Sequence, residues 1–554
     1  MTTLETAPGA RLRPLAGTAD GAALLRLVVS IALGFIIVMP LVAIVTMSTR
    51  ADFGELVSDP DLLQATVNSL ASSAGSALAA TALGAGFALV LERYVFPGAN
   101  LARWFLLIPF LIPPFIGAMS WMALLGVNGP VNSAFRALGV ESELSIFGGW
   151  GVTFLLTVHS YPMAFVVIST ALSRVPGNLE EAARLSGASP ARVLSTVTLP
   201  LIRPGLIAAF ILTFVSNLSD FGIPALVGLP ARYTTLTTLV YRQLSSPTQT
   251  NPLPAVSGIA LLLMVLAIGA ILLQRKIQGA TQMAAGKAAL KSQLGKAKYP
   301  VMGVLWAWIL VICVFPLLAL TAQALLPAPG IPLTFETVTF DNITKAITSR
   351  GALRGIQNSV FLAGTAAIVC GVLGLALGIL LTRTQSKLNP VLDVLATLPQ
   401  ALPGLVIAVG WLLVAPSIGL FNSPWLIICA YIMAFIALVV QQLRAPLSSI
   451  SRSLEEAAQA AGASRTRSML EITGRIVAPA AITGAVVVFL TAVRELTISI
   501  LLVSPGSQTL GVTIFNLQQA GNYTAAAALA LVVALVGIVG LSLTAFFTNK
   551  QARA

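Results

Sequence analysis

The stretch Leu179-Glu180-Glu181-Ala182-Ala183-Arg184-Leu185-Ser186-Gly187-Ala188-Ser189 returns as Leu454-Glu455-Glu456-Ala457-Ala458-Gln459-Ala460-Ala461-Gly462-Ala463-Ser464. Both copies are polar islands between strongly apolar runs. An internal repeat constrains architecture before any local reading does. The chain reads as two similar halves, each carrying one water-facing element.

The medium around those halves follows from composition. The chain is 57% hydrophobic and 9% charged, whereas soluble domains carry about 25% charged residues. The expected fold is an all-α polytopic membrane protein. Apolar runs long enough to cross a bilayer fall at about 27–47, 70–91, 103–126, 150–171, 204–223, 255–273, 301–325, 359–381, 391–415, 424–443, 479–503 and 526–547. The first run has no small-residue cleavage site after it and reads as a retained span. Six spans per half is an even number, so both halves begin on the same side as parallel repeats. Residues 1–276 form the first half, 277–300 a linker and 301–554 the second half.

A net charge of +13 would suit a nucleic-acid partner if it were clustered. With both termini placed in the cytoplasm, most Lys and Arg instead fall on cytoplasmic segments, the positive-inside bias of a membrane protein. The linker, with Lys287, Lys291, Lys296 and Lys298, belongs to that set, while loop 48–66 outside is acidic. The charge is therefore topological, and no nucleic-acid partner is expected. Cys313, Cys370 and Cys429 lie within spans and read as packing residues. His159, the single histidine, excludes a multi-histidine metal site and reads as a hydrogen-bonded packing residue.

The halves align beyond the island. Asn68-Ser69 matches Asn358-Ser359, and Pro109, Pro113 and Trp121 match Pro399, Pro403 and Trp411, all at an offset of 290 residues. Past the third span the offset is 275, pairing Gly187 with Gly462, Pro204 with Pro479 and Asp220 with Glu495. The change falls in an external loop, where insertions are tolerated.

Each island reads as helix, glycine turn, helix. Glu180 and Glu181 sit in the first turn, where carboxylates suit the positive end of the helix dipole. Ala182 and Ala183 permit close approach by another surface. Gly187 ends one helix, and Pro190 suits the start of the next. An ordinary amphipathic loop would explain one copy, but not two at equivalent points before the fifth span of each half.

The pattern Glu-Ala-Ala, three residues, Gly resembles the coupling motif of binding-protein-dependent ABC importer permeases. The matching residues are Glu181-Ala182-Ala183 with Gly187, and Glu456-Ala457-Ala458 with Gly462, flanked by Glu180 and Glu455. The motif's usual Leu-Pro continuation is present as Leu199-Pro200 but is Gly474-Arg475 in the second copy. The resemblance implies a bacterial inner-membrane protein that works by alternating access. It further implies two cytoplasmic ABC ATPase subunits that dock on these loops and bind ATP and Mg, and an external or periplasmic substrate-binding protein. Two fused halves resemble the ferric-iron permease group in particular, with thiamine, phosphonate or polyamine cargo as alternatives. A phosphate-binding Gly-x-x-x-x-Gly-Lys-Ser/Thr loop does not occur, so the chain is expected to be a transport subunit without catalytic residues, metal or cofactor of its own.

Within the membrane, Asp220 and Glu495 are expected in the outer part of the fifth span of each half. A charge at the bilayer centre costs on the order of 3 kcal/mol, so such residues face a cavity or a partner. The equally weighted alternative makes Asp220 a cap near Gly222 and gives Glu495 a basic partner. Pro109, Pro113, Pro399 and Pro403 break helix hydrogen bonds, either to line a pathway or to kink for packing. Pro40 and Pro316 are expected only to bend the first and seventh spans. Outside this class stand a secondary transporter built from six plus six parallel spans and a membrane scaffold without cargo.

Overall fold

The computed structural model describes residues 19–246, 251–278 and 291–551. Half of the linker, residues 279–290 with Lys287, lies outside the described residues. Among the described residues, ten helices are long and apolar enough to cross a membrane. In order they are Ala23–Ser48 (span 1), Pro60–Arg93 (span 2), Gly149–Ser173 (span 4), Pro190–Leu218 (span 5) and Leu253–Ile277 (span 6). The second half repeats them as Gly295–Ala324 (span 7), Arg350–Arg383 (span 8), Pro424–Ser449 (span 10), Met469–Val493 (span 11) and Tyr523–Gly540 (span 12).

Spans 3 and 9 are broken. Ala99–Leu111 meets Pro114–Ala137 at 101°, and Asn389–Ala401 meets Gly404–Val414 at 110°. The packing of their neighbours decides whether each bent pair crosses. A Cβ on Gly75 of span 2 would touch Thr153, and one on Gly84 would lie 2.6 Å from the Phe165 amide nitrogen. Spans 2 and 4 therefore run in the same direction, so the chain must return across the membrane between them. In the second half Gly374 meets Val439 and Gly378 meets Leu443, which gives spans 8 and 10 the same parallel relation. Each bent pair is one crossing, and the total among the described residues is twelve.

Several helices begin earlier than hydropathy alone predicts. The Asp59 side chain accepts the Asp61 amide at 2.9 Å, and Pro60 follows at the first helical position, a combination that starts helices. Span 2 thus takes in residues 60–66 of the expected loop. Span 5 begins at Pro190, so the second helix of the repeated island runs into it without a break.

The halves are interlocked. Val29, Leu33, Ile36 and Ile37 of span 1 are buried in the core of the second half. Leu305, Ile309 and Leu320 of span 7 are buried in the core of the first. Pro40 and Pro316 lie within these two interlocking spans. Each follows a wide π-type turn, Gly34–Val38 and Leu310–Val314, of the kind that accommodates a missing backbone donor. Pro40 also seats against Gly410 of span 9, where an added Cβ would come within 2.9 Å of the proline carbonyl oxygen.

After span 2 the chain is tied to the end of the linker. Tyr94–Val95 pairs in parallel with Ser292–Gln293, and Lys291 donates to the Leu91 carbonyl at 2.9 Å.

Candidate functional site

The repeated islands sit at one end of the bundle, beside the ends of spans 2 and 8. Their first helices are Gly177–Leu185 and Ser453–Ala460. Both close with the same glycine turn. Gly187 has φ +83° and Gly462 φ +96°, backbone that L side chains rarely adopt. The Ala188 amide reaches back to the Ala183 carbonyl and Ala463 to Ala458, both at 3.0 Å, which satisfies carbonyls the helix end would leave bare. Ser189 and Ser464 then cap the next helices, accepting the amides of Arg192 and Arg467. This turn chemistry follows the sequence expectation.

The two glutamates of each pair diverge. Glu181, Ala182, Glu456 and Ala457 are exposed, and Ala183 and Ala458 are half-buried. Glu180 and Glu455 are instead buried, 4% and 8% exposed. Arg93 at the end of span 2 donates to Glu180 Oε1 at 2.8 Å, and the Thr198 hydroxyl donates to the same oxygen at 2.8 Å. In the second copy Arg383 Nε lies 3.3 Å from Glu455 Oε1, which the Thr473 hydroxyl also reaches. Glu180 and Glu455 thus do not extend the outer surface of their loops. Each gathers three elements at a buried point. Sequence reasoning missed the two arginines, which occupy equivalent places at the 290-residue offset but read as ordinary flanking charge.

The second set of residues meets at a cavity of about 210 Å³ between the halves. Pro113, His159, Asp220, Arg494 and Glu495 all line it. Asp220 and Glu495 lie just past the ends of spans 5 and 11, not inside those helices as expected. The chain breaks there, and the carboxylates take the amides that the break exposes. Asp220 Oδ1 accepts the Ile223 amide at 2.8 Å. Glu495 accepts Ile498 at 2.6 Å and Ser499 at 3.1 Å. Among the described residues neither forms an ion pair, and the second oxygen of Asp220 takes no hydrogen bond. Asp220 is therefore both a cap and a cavity carboxylate.

The break in span 3 explains two further lining residues. Pro113 has no N–H, so the Pro109 carbonyl four residues earlier loses its helical donor. His159 Nδ1 stands 3.1 Å from that carbonyl, which can only accept, so Nδ1 carries the proton. The Leu111 carbonyl, also freed, takes a hydrogen bond from Arg494 of the other half.

Pro399 and Pro403 behave differently, because the residues matching His159 and Arg494 at the 275-residue offset are Ala434 and Ser219. Ala434 has no donor and the Ser219 hydroxyl donates to the Val215 carbonyl, and the chain closes a 3₁₀ turn at Leu398–Ala401 with the Leu402 amide on the Pro399 carbonyl at 3.1 Å. Pro113 lines the cavity, and Pro399 and Pro403 are not among the residues that line it.

Comparison with known proteins places these features in a lineage. The chain is 24% identical over 486 residues to Fe(3+)-transport system permease protein FbpB 2 of Haemophilus influenzae, covering 87% of this chain and 89% of that protein. It is 26% identical to the probable ABC transporter permease protein y4fN of Sinorhizobium fredii, covering 81% of each. Over 196 residues it is 31% identical to the molybdenum transport system permease protein ModB of Escherichia coli, covering 35% of this chain and 83% of that one. The family described as binding-protein-dependent transport system inner membrane component matches residues 22–281 and again 371–553. Two matches over most of the length leave one assignment: this multi-pass inner-membrane protein belongs to the family of binding-protein-dependent transport system inner membrane components, as two fused halves.

Proposed function

We propose that this chain is the permease subunit of an ATP-driven importer of ferric iron. The observation that carries the cargo is the extent of the likeness to FbpB 2, a Fe(3+)-transport permease, over 87% of this chain. Carboxylate oxygen suits a hard cation, and Asp220 and Glu495 line the central cavity between the halves.

In this reading the islands face the cytoplasm with both termini. Glu181, Ala182, Ala183 and Gly187, with Glu456, Ala457, Ala458 and Gly462, meet two ATPase subunits that bind ATP and Mg. Leu185, 90% exposed beside the first glycine turn, offers an apolar contact to such a partner. A substrate-binding protein docks at the opposite end, where Leu138 and Phe335 are largely exposed. Closure of the ATPases moves the loops, and the interlocked halves rock between inward- and outward-open states.

A second reading is favoured by Arg494 in the cavity wall and by the likeness to ModB: an oxyanion such as molybdate. The deciding experiment reconstitutes the permease with its ATPase and binding protein and titrates ATP hydrolysis with ferric iron, molybdate, thiamine and a phosphonate. Stimulation by ferric iron alone supports the proposal. Stimulation by another cargo replaces iron but keeps the importer. Uptake that needs no ATPase and collapses with the ion gradient would overturn both.

A further inference from the structure

Each repeated island is fastened by the same three-point clasp, and we propose that the clasps are the rigid links that carry loop motion into the membrane. The inference rests on the coupling role proposed above. Arg93, Glu180 and Thr198 form the first clasp; Arg383, Glu455 and Thr473 form the second. Each joins the end of one span, the island's first helix and the start of the next span.

Geometry separates the work of adjacent glutamates. Neighbours on a helix point about 100° apart, so Glu181 can meet a partner while Glu180 points into the protein. A loop held only by its two chain connections would yield when pushed. A buried charge pair with a hydroxyl on the same oxygen resists that, because leaving either charge alone in the interior is costly.

The threonines add direction. Thr198 and Thr473 lie in wide π-type turns, Leu194–Thr198 and Met469–Gly474, that open spans 5 and 11. Across those two turns only the threonine is shared at the 275-residue offset. Nearby, Arg184 and Leu185 have become Gln459 and Ala460, and Leu199-Pro200 has become Gly474-Arg475. Thr198 and Thr473 are retained while the rest of their turns diverges, which is the pattern of a part with a shared task.

In the second clasp the arginine reaches one span further. Arg383 also donates to the carbonyls of Leu447 and Ile450, each at 3.0 Å, at the end of span 10. Motion of the second island therefore reaches spans 8, 10 and 11 together.

Glu180, Arg93 and Thr198 are positioning residues, so the test reads coupling and not uptake alone. Proteoliposomes holding the full complex report cargo imported per ATP hydrolysed, with ferric iron, or molybdate if that is the stimulating cargo, as probe. Glu180→Gln and Glu455→Gln should lower that ratio about tenfold, within the range of coupling free energies, with the ATPase still co-purifying. Thr198→Val should lower it less, and Thr198→Ser should restore it. These two variants decide the matter if the glutamine variants fail to insert. An unchanged ratio, or uptake and hydrolysis falling by the same factor, would overturn the clasp. Gly187→Pro in parallel separates the two ideas: if it abolishes uptake while the clasp variants do nothing, only the clasp falls; if it also leaves uptake intact, the coupling role falls too.

Discussion

Arg494 of the second half donates to the backbone carbonyl of Leu111 in the first. The bond fills a vacancy left where the helix ends at Leu111 and Ile112 turns extended, and it joins the two halves at the wall of the cavity. Removing the guanidinium leaves a part-buried carbonyl without its protein donor, which costs up to about 1–3 kcal/mol. We expect Arg494→Ala to lower the melting temperature of the purified protein. His159→Ala should do the same through the Pro109 carbonyl. Ala434→Gly, at the matching place in the second half, should change it less, because that break closes on itself. Equal losses in all three would show that the cross-half bonds have no special weight.

Gly187 and Gly462 hold φ near +90° with no atom within 4 Å of an added Cβ. A substitution there meets no crowding, only the backbone penalty of roughly 1–2 kcal/mol for a side chain in the left-handed region. Gly187→Asn should be tolerated better than Gly187→Val, since asparagine enters that region more readily. Proline cannot enter it at all. Gly187→Pro combined with Gly462→Pro should abolish transport while the protein still inserts, read by uptake and by membrane fractionation. Normal uptake in the double variant would contradict the coupling role.

Much of this was legible because a repeat supplies two readings of every feature. The matched pairs Pro113 with Pro403 and Asp220 with Glu495 located both helix breaks and one wall of the cavity. The interlocking of spans 1 and 7 was not legible, since an apolar run reads the same whichever half covers it. Arg93 and Glu180 are 87 residues apart, and an arginine ending a span already has a sufficient explanation in membrane topology. The asymmetry of the two breaks was written in His159 against Ala434 and Arg494 against Ser219. It carried no meaning until the freed carbonyls were placed opposite them.

Spans 2 and 4 touch at Gly84, where an added Cβ would lie 2.6 Å from one backbone nitrogen and 2.9 Å from the Ala164 carbonyl carbon. Backbone cannot move aside as a side chain can, so the helices must part. We expect Gly84→Ala to destabilise by about 1–3 kcal/mol, the usual cost of overpacking. Gly86, two residues on, meets nothing within 4 Å, and Gly86→Ala should be neutral or slightly stabilising because alanine is the better helix former. Thermal unfolding in one detergent compares the pair directly; equal effects would mean the spans do not approach so closely there.

Asp220 and Glu495 share the cavity but differ in what they have left to offer. Both oxygens of Glu495 are engaged by the Ile498 and Ser499 amides and the Ser499 hydroxyl, whereas Asp220 commits one oxygen to Ile223. If the carboxylates attract a cation, the less committed group should matter more. Asp220→Asn keeps an acceptor for the Ile223 amide and removes only the charge, so it should slow cation uptake with little loss of stability. Glu495→Gln should affect uptake less, while Glu495→Ala should also destabilise, because it strips two amides of their acceptor. Uptake and melting temperature measured on the three variants separate charge from capping. Faster uptake in Asp220→Asn would turn the assignment toward an anion drawn by Arg494.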